Sequence, residues 1–369
     1  MGMHLMMDFE KKLDLITENL SEIVTLNDLR NLIETEERPK AYWGFECSGL
    51  MHLGMGLICG NKIKNLIEAG FDFTIFLADW HSWINNKLGG DMENIKICGE
   101  YFKNCFTGLG IHPNKVKYLW ASDLVESSEY WEKVIKIAKL NSLQRVSRAL
   151  PIMGRQLGQE DIDAASIFYP CMQAADIFQL DLDVACSGID QRKAHMLARD
   201  VADKIKSKKP VCLHTPLLMG LTSSNESADK EIYDEDQRLS YQIMTKMSKS
   251  IPGSAIYIHD SPEDIKKKIL NAYCPSKQVD ENPIFEIIRY IVFPENKEIK
   301  IIRPNKYGGT IYFSRIDEII ESYRKGTIHP LDLKNSVAEI LIEMLKGVRV
   351  HFRKNSNSLR AMEKIEITR

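Results

Sequence analysis

The stretch Gly44-Phe-Glu-Cys-Ser-Gly-Leu-Met-His-Leu-Gly-Met-Gly56 sets four glycines and one histidine in thirteen residues, directly after the strand-like Ala41-Tyr-Trp43. Its spacing excludes two familiar nucleotide loops. A P-loop needs Gly-x-x-x-x-Gly-Lys-Ser/Thr, so that backbone N–H groups and a lysine surround the phosphates, and the only lysine nearby, Lys62, lies well past Gly56. The dinucleotide fingerprint needs Gly-x-Gly-x-x-Gly, and after Gly54-Met-Gly56 the next glycine is Gly60, one residue late. The setting still suits a nucleotide. A strand leads in, and Leu57, Ile58, Ile63, Leu66 and Ile67 recur at helical spacing, so the glycines would let a phosphate approach a helix N-terminus. For the loop alone, an ordinary strand-to-helix turn fits equally well.

Working outward, residues 41–45, 71–79 and 115–121 read as strands, with helices over 57–69 and 92–110 between them. A helical, apolar-periodic stretch over 129–160, carrying Arg145, Arg148 and Arg155, interrupts the alternation. It resumes with strands at 182–188 and 210–218 around a helix at 189–205. This order predicts an α/β fold: a Rossmann-like parallel sheet covered by helices, with a helical insertion. Residues 8–38 read as two short helices, the second opened by Thr25 and Asp28 at capping-box spacing. A polar, acidic insert covers 222–237, and beyond about 260 the chain turns mainly helical, with one β-like stretch near 298–304. The expected division is N-terminal helices 1–39, an α/β unit 40–260, and a mainly α-helical C-terminal domain 261–369.

Composition bounds the function. Of 369 residues, 44% are hydrophobic and 27% charged, as in globular proteins generally. No apolar run reaches bilayer length, and the N-terminus lacks a signal-peptide core, so the expectation is a cytoplasmic protein with no membrane partner. Met6 stands where a myristoylation signal needs Ser or Thr. Eight scattered cysteines without a Cys-x-x-Cys pair argue against structural zinc, a disulfide scaffold or a dedicated metal site. A net charge of −2 does not point to DNA, and any RNA contact must use local patches.

Lys246-Met-Ser-Lys-Ser250 lies just beyond the last strand of the α/β unit. Alone it reads as a solvated turn. Strand C-termini of such a sheet converge on one edge, however, so a loop leaving the last strand can fold over a ligand bound at the first.

Together "MHLGM" and "KMSKS" resemble the paired signatures of class I aminoacyl-tRNA synthetases. The blocks "AYWGFECSGLMHLG", "LADWHSWIN", "YPCMQAADIF", "DQRKAHMLARD", "AYCP" and "HPLDLKN" resemble, in order, the tyrosyl-tRNA synthetases of archaeal and eukaryotic type, over about residues 40–345. The resemblance implies that a tyrosine carboxylate attacks the α-phosphate of ATP in line, giving an adenylate and pyrophosphate, before transfer to tRNA(Tyr). No protein nucleophile is needed; positioning and charge stabilisation are. It implies that His52, Lys246 and Lys249 supply that stabilisation in the mobile "KMSKS" loop 246–250 and its partner. Gly54, Ser248 and Asp190 would complete the ATP site, Asp190 on the ribose, with Mg²⁺ on the pyrophosphate side.

One helix carries the amino-acid choice. In "YPCMQAADIF" Pro170 suits a first helical turn, and Tyr169, Gln173 and Asp176 fall at i, i+4 and i+7 on one face. Met172, Ala174, Ala175 and Ile177 flank them, so an ionised Asp176 would need a hydrogen-bond donor. A surface Asp on a core helix is the plainer reading of that segment alone. The resemblance implies that Asp176 and Tyr42 bind the substrate hydroxyl and that Tyr169, Gln173 and Gln191 hold its α-amino group. His81 would lie near the ring, with Gly44 and Glu46 in the same pocket. Such a site rejects the analogue lacking the hydroxyl by about 10⁵, a magnitude known for this enzyme class itself and borrowed from it. The sister tryptophanyl enzymes fit less well, because an indole offers no hydroxyl.

For tRNA, the resemblance implies that Arg192 faces the first acceptor-stem pair, that Tyr307 stacks on an anticodon base, and that His329 and Asp332 contact that base. The plainer readings are a solvated helix face and an ordinary helix start, and His195 reads as a packed residue. The basic tail 349–360 reads as a phosphate contact or a frayed end. The family is generally homodimeric, with the insertion 129–160 as the interface. Two departures stand out: Met55 replaces the second histidine of the first signature, and Ser187 replaces the first of two glycines. They leave a competing reading, a synthetase-like paralogue that binds RNA or an amino acid without charging tRNA.

Overall fold

This computed structural model describes residues 8–154, 163–222, 233–249, 251 and 253–366. Arg155, Met6, most of the acidic insert and Ser250 lie outside the described residues. Helices α1 (Phe9–Thr17) and α2 (Leu26–Thr35) come first, and Thr25 Oγ accepts from Asp28 N–H at 3.1 Å as the capping spacing predicts. Between them lies a strand the sequence did not announce, β1 (Glu22–Val24). Three residues are too few to show a period, and β1 exists because of its partner nearly 190 residues away.

The main sheet holds β1, β2 (Lys40–Phe45), β3 (Asp72–Leu77), β4 (Lys117–Trp120), β5 (Val184–Gly188) and β6 (Val211–Thr215), in the order β1-β6-β5-β2-β3-β4. All neighbours run parallel except β1, which lies antiparallel on β6. The order reverses between β2 and β5, so their carboxyl ends flank the crevice where such sheets bind ligands.

Alternation along β2 sorts the core. Ala41, Trp43 and Phe45 join one apolar cluster with α3 (Gly60–Glu68) and, after α4 (Asp79–Ile84), with α5 (Met92–Gly108). Tyr42 points to the opposite face. There it meets α6 (Ala121–Val125), α7 (Ser128–Leu140), α8 (Leu143–Ser147), α9 (Phe168–Gln179) and α10 (Arg192–Val201). The predicted insertion is thus α7, α8 and a short 3₁₀ turn, Leu150–Met153.

After β6 come α11 (Gln237–Thr245), α12 (Pro262–Asn271), α13 (Pro283–Ile287) and α14 (Phe293–Glu295). A hairpin follows, β7 (Ile299–Ile301) with β8 (Ile311–Phe313), whose second strand the sequence reading lacked. The chain ends with α15 (Ile316–Arg324), α16 (Pro330–Met344), α17 (Lys346–Lys354) and α18 (Asn357–Met362). The tail is not frayed. Val348, Phe352 and Met362 are buried, and Phe352 stacks on Tyr101 of α5 with centroids 5.8 Å apart. The apolar cluster of α3 and α5 therefore continues into the C-terminal helices.

Candidate active site

The two signatures, about 190 residues apart in sequence, are joined by backbone hydrogen bonds. Met247 N–H donates to Leu218 O at 2.6 Å and Gly220 N–H to Thr245 O at 2.9 Å, tying the lysine loop to the segment leaving β6. The chain then returns beside the glycine loop, where Leu53 N–H donates to Ile256 O and Ile258 N–H to Met51 O, each at 3.0 Å. A Cβ on Gly56 would lie 2.3 Å from Ile258 Cγ2, so packing against this returning segment requires that glycine. The predicted helix start is wider than an α-turn: Gly54–Cys59 form a π-helical turn leading into α3. Lys62 faces away, 2% exposed, and its Nζ donates to Ile16 O at 2.8 Å, at the end of α1. It stands outside the nucleotide end of the crevice in space as well as in sequence.

At the mouth of the crevice Lys246 Nζ pairs with Asp190 Oδ2 at 2.7 Å, and Lys249 Nζ donates to Ser48 Oγ at 3.1 Å. Burial lowers the Lys249 pKa. Gly54 N–H donates to His52 Nδ1 at 3.2 Å, which leaves the ring proton on Nε2. Burial, then the charges of Lys249 and Lys246, push the His52 pKa down to about 3. At neutral pH His52 is therefore a neutral N–H donor, and the cationic charge here comes from the lysines. Ser248 lies between them, and its carbonyl accepts from Ser254 Oγ at 2.8 Å.

The two departures are absorbed locally. Ser187 is buried and donates its hydroxyl to Gly188 O at 3.0 Å. Gly188 is the glycine that close approach demands, since a Cβ there would lie 2.6 Å from Asp190 Oδ1. Met55 packs its side chain against the core. Among the described residues no three His, Cys, Asp or Glu side chains converge as metal ligands would.

The pocket lies deeper, on the Tyr42 face. A 3₁₀ turn capped by Asp163 leads into α9, with Ser166 N–H donating to Asp163 Oδ1 at 2.9 Å. Tyr169, Gln173 and Asp176 share one side of α9, as their spacing predicts. Asp176 is 2% exposed. Tyr130 Oη donates to its Oδ1 at 2.8 Å, and His81 Nε2 lies 3.3 Å from its Oδ2. Burial pushes the Asp176 carboxyl well above the usual carboxylate range, only partly offset by the Tyr130 bond. The sequence reading asked for a hydrogen-bond donor to a buried Asp176, and Tyr130 supplies it. His81, lowered to about 4 by burial, stands edge-on to Tyr169 with centroids 5.0 Å apart.

Gly44 lies beside the pocket, where a Cβ would meet Tyr42 Cε2 and Phe76 Cδ1, both at 3.7 Å. At the amino-group end, Glu46 Oε1 accepts from Asn85 Nδ2 at 2.7 Å and from Tyr169 Oη at 3.3 Å. Gln191 Nε2 donates to Ile152 O at 2.9 Å, leaving its carbonyl oxygen for a ligand. Gln173 Oε1 is buried without a hydrogen-bond partner among the described residues, an acceptor left open to a ligand donor. The sequence reading missed Tyr130 and Asn85. Tyr130 heads a stripe with Val134 and Ile137 on the buried face of α7, and its hydroxyl in that aliphatic row is the signal that was available.

The candidate RNA residues lie apart. Arg192 opens α10 and contacts Glu22, while Lys193 Nζ pairs with Asp234 Oδ2 at 2.9 Å. His195 is fully buried, as expected of a packed residue. Tyr307, 63% exposed, stands between β7 and β8. Arg303 Nη1 donates to Thr327 O at 2.7 Å and Ile302 N–H to Ser336 Oγ at 3.1 Å, which ties that hairpin to the start of α16. There His329 Nδ1 caps the helix by accepting from Leu331 N–H at 3.2 Å, and Asp332 sits in its first turn.

Residues 34–346 match the family model described as tRNA synthetases class I (W and Y). The tyrosine–tRNA ligase of Saccharolobus islandicus is 47% identical over 93% of this chain and 94% of its own length. The crystal structure of Pyrococcus horikoshii tyrosyl-tRNA synthetase complexed with L-tyrosine superposes with a TM-score of 0.90 at 41% identity, covering 97% of this chain and all of that one. Plasmodium falciparum tryptophanyl-tRNA synthetase shares the fold, with a TM-score of 0.66 at 20% identity over 96% of this chain and 90% of that one.

Proposed function

Because this chain belongs to the class I tRNA synthetases, on their tyrosine branch, we propose how its residues divide the work. The protein is a tyrosine–tRNA ligase: it activates L-tyrosine with ATP to tyrosyl-adenylate and pyrophosphate, then transfers tyrosine to the 3′-terminal adenosine of tRNA(Tyr). Tyrosine enters with its hydroxyl toward Asp176 and Tyr42 and its ring beside His81. Its α-ammonium meets Gln173 Oε1, Tyr169 and Gln191, with Glu46 and Gly44 completing the pocket. ATP lies along the glycine loop, its ribose on Asp190 and its phosphates near His52 Nε2–H, Gly54 and Ser248. The ribose hydroxyls compete for the carboxylate that holds Lys246, and this releases Lys246 to join Lys249 on the departing pyrophosphate. Both lysines are aimed where negative charge develops, which is what lowers the barrier of an in-line displacement. On the pyrophosphate side, Mg²⁺ carried in with ATP would add to the charge neutralisation that Lys246 and Lys249 provide.

In the same reading, Arg192 meets the acceptor stem, and Tyr307, His329 and Asp332 meet the anticodon. The working units are 1–39, 40–260 and 261–369, acting in the cytoplasm. No helix among the described residues is long and apolar enough to cross a membrane. We pair two copies through the insertion, whose Ile135, Leu140 and Leu143 are exposed, the last by 68%, as apolar side chains covered by a second copy would be in the separate chain.

The observation that carries the reading is Asp176, buried on the pocket floor with a tyrosine hydroxyl already bonded to it. The test is exchange of labelled pyrophosphate into ATP with tyrosine, phenylalanine or tryptophan, followed by charging of tRNA(Tyr). Exchange with tyrosine alone and formation of Tyr-tRNA are expected. A folded protein that exchanges with none of them would instead be the non-charging binding paralogue.

A further inference from the structure

Glu22 stands on the edge strand β1, in a segment where no sequence signature predicts a functional residue. Arg192 Nε donates to both its carboxylate oxygens, at 2.9 and 2.8 Å, and His214 Nδ1 lies 2.7 Å from Oε2. A carboxylate only accepts, so His214 Nδ1 carries a proton. Behind it, His214 Nε2 is 3.0 Å from His195 Nδ1, and the two buried rings stack with centroids 5.1 Å apart. The chain Arg192–Glu22–His214–His195 thus runs from the surface into the packed interior of α10 and β6.

Arg192 is engaged at Nε only. Its side chain is 40% exposed, and among the described residues its two terminal nitrogens have no hydrogen-bond partner. An arginine gripped at Nε keeps its outer N–H edge for a ligand while losing the rotamer freedom of a long side chain, so less is left to lose on binding. Stapling of the edge strand does not require this contact. Arg199 already holds that segment, donating to Val24 O at 3.0 Å and to Asp28 Oδ2 at 2.9 Å, in addition to the β1–β6 ladder. A carboxylate beside an RNA-facing cation would also repel phosphate, so its presence calls for a gain elsewhere.

We infer that Glu22 is a positioning residue for tRNA charging: anchored by His214 and His195, it presents the outer edge of Arg192, preset, to the acceptor end of tRNA. The inference rests on the reading of Arg192 given above. It assigns the N-terminal segment a part in the second half-reaction and none in the first.

The test compares Glu22→Gln, Arg192→Ala and the double variant in two assays of the full-length protein. Tyrosine-dependent pyrophosphate exchange needs no tRNA, whereas charging of tRNA(Tyr) does. Glu22→Gln should lower kcat/KM for tRNA about tenfold, mainly through KM, with exchange within about twofold of the parent. The double variant should charge no worse than Arg192→Ala, because residues acting through one contact are not additive. Unchanged charging in Glu22→Gln, a parallel fall in exchange, or an additive double variant would each overturn the inference. If Arg192→Ala charges normally, the reading of Arg192 fails and this inference with it. A parent that exchanges but charges no tRNA would overturn both and is seen before any variant is made.

Discussion

Asp176 and Asp190 serve one crevice from opposite surroundings. Asp176 is sealed at the pocket floor between Tyr130 and His81, and burial raises its pKa. Asp190, at the mouth, is tied to Lys246, whose side chain is one-third exposed. The sealed end makes choice expensive to get wrong, since a substrate lacking the hydroxyl leaves buried polar groups unpaired. The open end holds its lysines through contacts that a polyanion can displace. In the proposed reading, selectivity is built by burial and catalysis by charges that remain movable.

The comparison breaks most decisively at Asp176. Asp176→Asn should lower the preference for tyrosine over phenylalanine by roughly 10³-fold in pyrophosphate exchange, while the KM for ATP holds. If that preference survives, the sealed end is not where choice is made. At the open end Lys249→Ala should slow exchange about 10²-fold in kcat, with tyrosine binding by equilibrium titration unchanged. A matching loss of tyrosine affinity would show the two ends to be one unit.

Acid should act through the sealed end. His81 has a folded pKa of about 4 against an ordinary 6.5, so between these values the unfolded chain binds a proton that the folded protein does not. This ring's contribution is therefore full above pH 6.5 and falls as pH drops toward 4, by up to about 1.4 kcal/mol per pH unit. Asp176, raised by burial, acts in the opposite sense, and buried His52 and His259 act in the same one, so the ring's own part is read as a difference: the Tm of the parent relative to His81→Gln should fall from pH 7 to 5. The smallest effect is expected at Tyr130→Phe, which removes one donor to Asp176. The KM for tyrosine should rise about fivefold with the choice over phenylalanine largely kept. A larger loss would place Tyr130, rather than Tyr42, beside Asp176 in the choice of the substrate hydroxyl.

Much of this site was legible because it is periodic or local. The strand–helix alternation gives the parallel sheet, and the i, i+4, i+7 spacing of Tyr169, Gln173 and Asp176 gives one face of α9. Thr25 and Asp28 give a cap. Tyr130, Glu22 and β1 were not legible, since each depends on a partner far along the chain: Asp176 for Tyr130, Arg192 and His214 for Glu22, and β6 for β1. Residues 349–360 left a phosphate contact and a frayed end both open, because the burial of Phe352 depends on α5 rather than on anything in the tail itself.

The sequence alone determined the fold class, because backbone period is a property of neighbouring residues, and, through the resemblance its two signatures carry, it implied the chemistry. Tertiary structure decided how those parts act. It set which nitrogen of His52 carries the proton, that Gly56 and Gly188 have no room for a side chain, and that burial raises the pKa of Asp176. It also set where Arg192 is held. Each of these depends on distance and burial, and both are fixed only when segments as far apart as Ser48 and Lys249, 201 residues, come together.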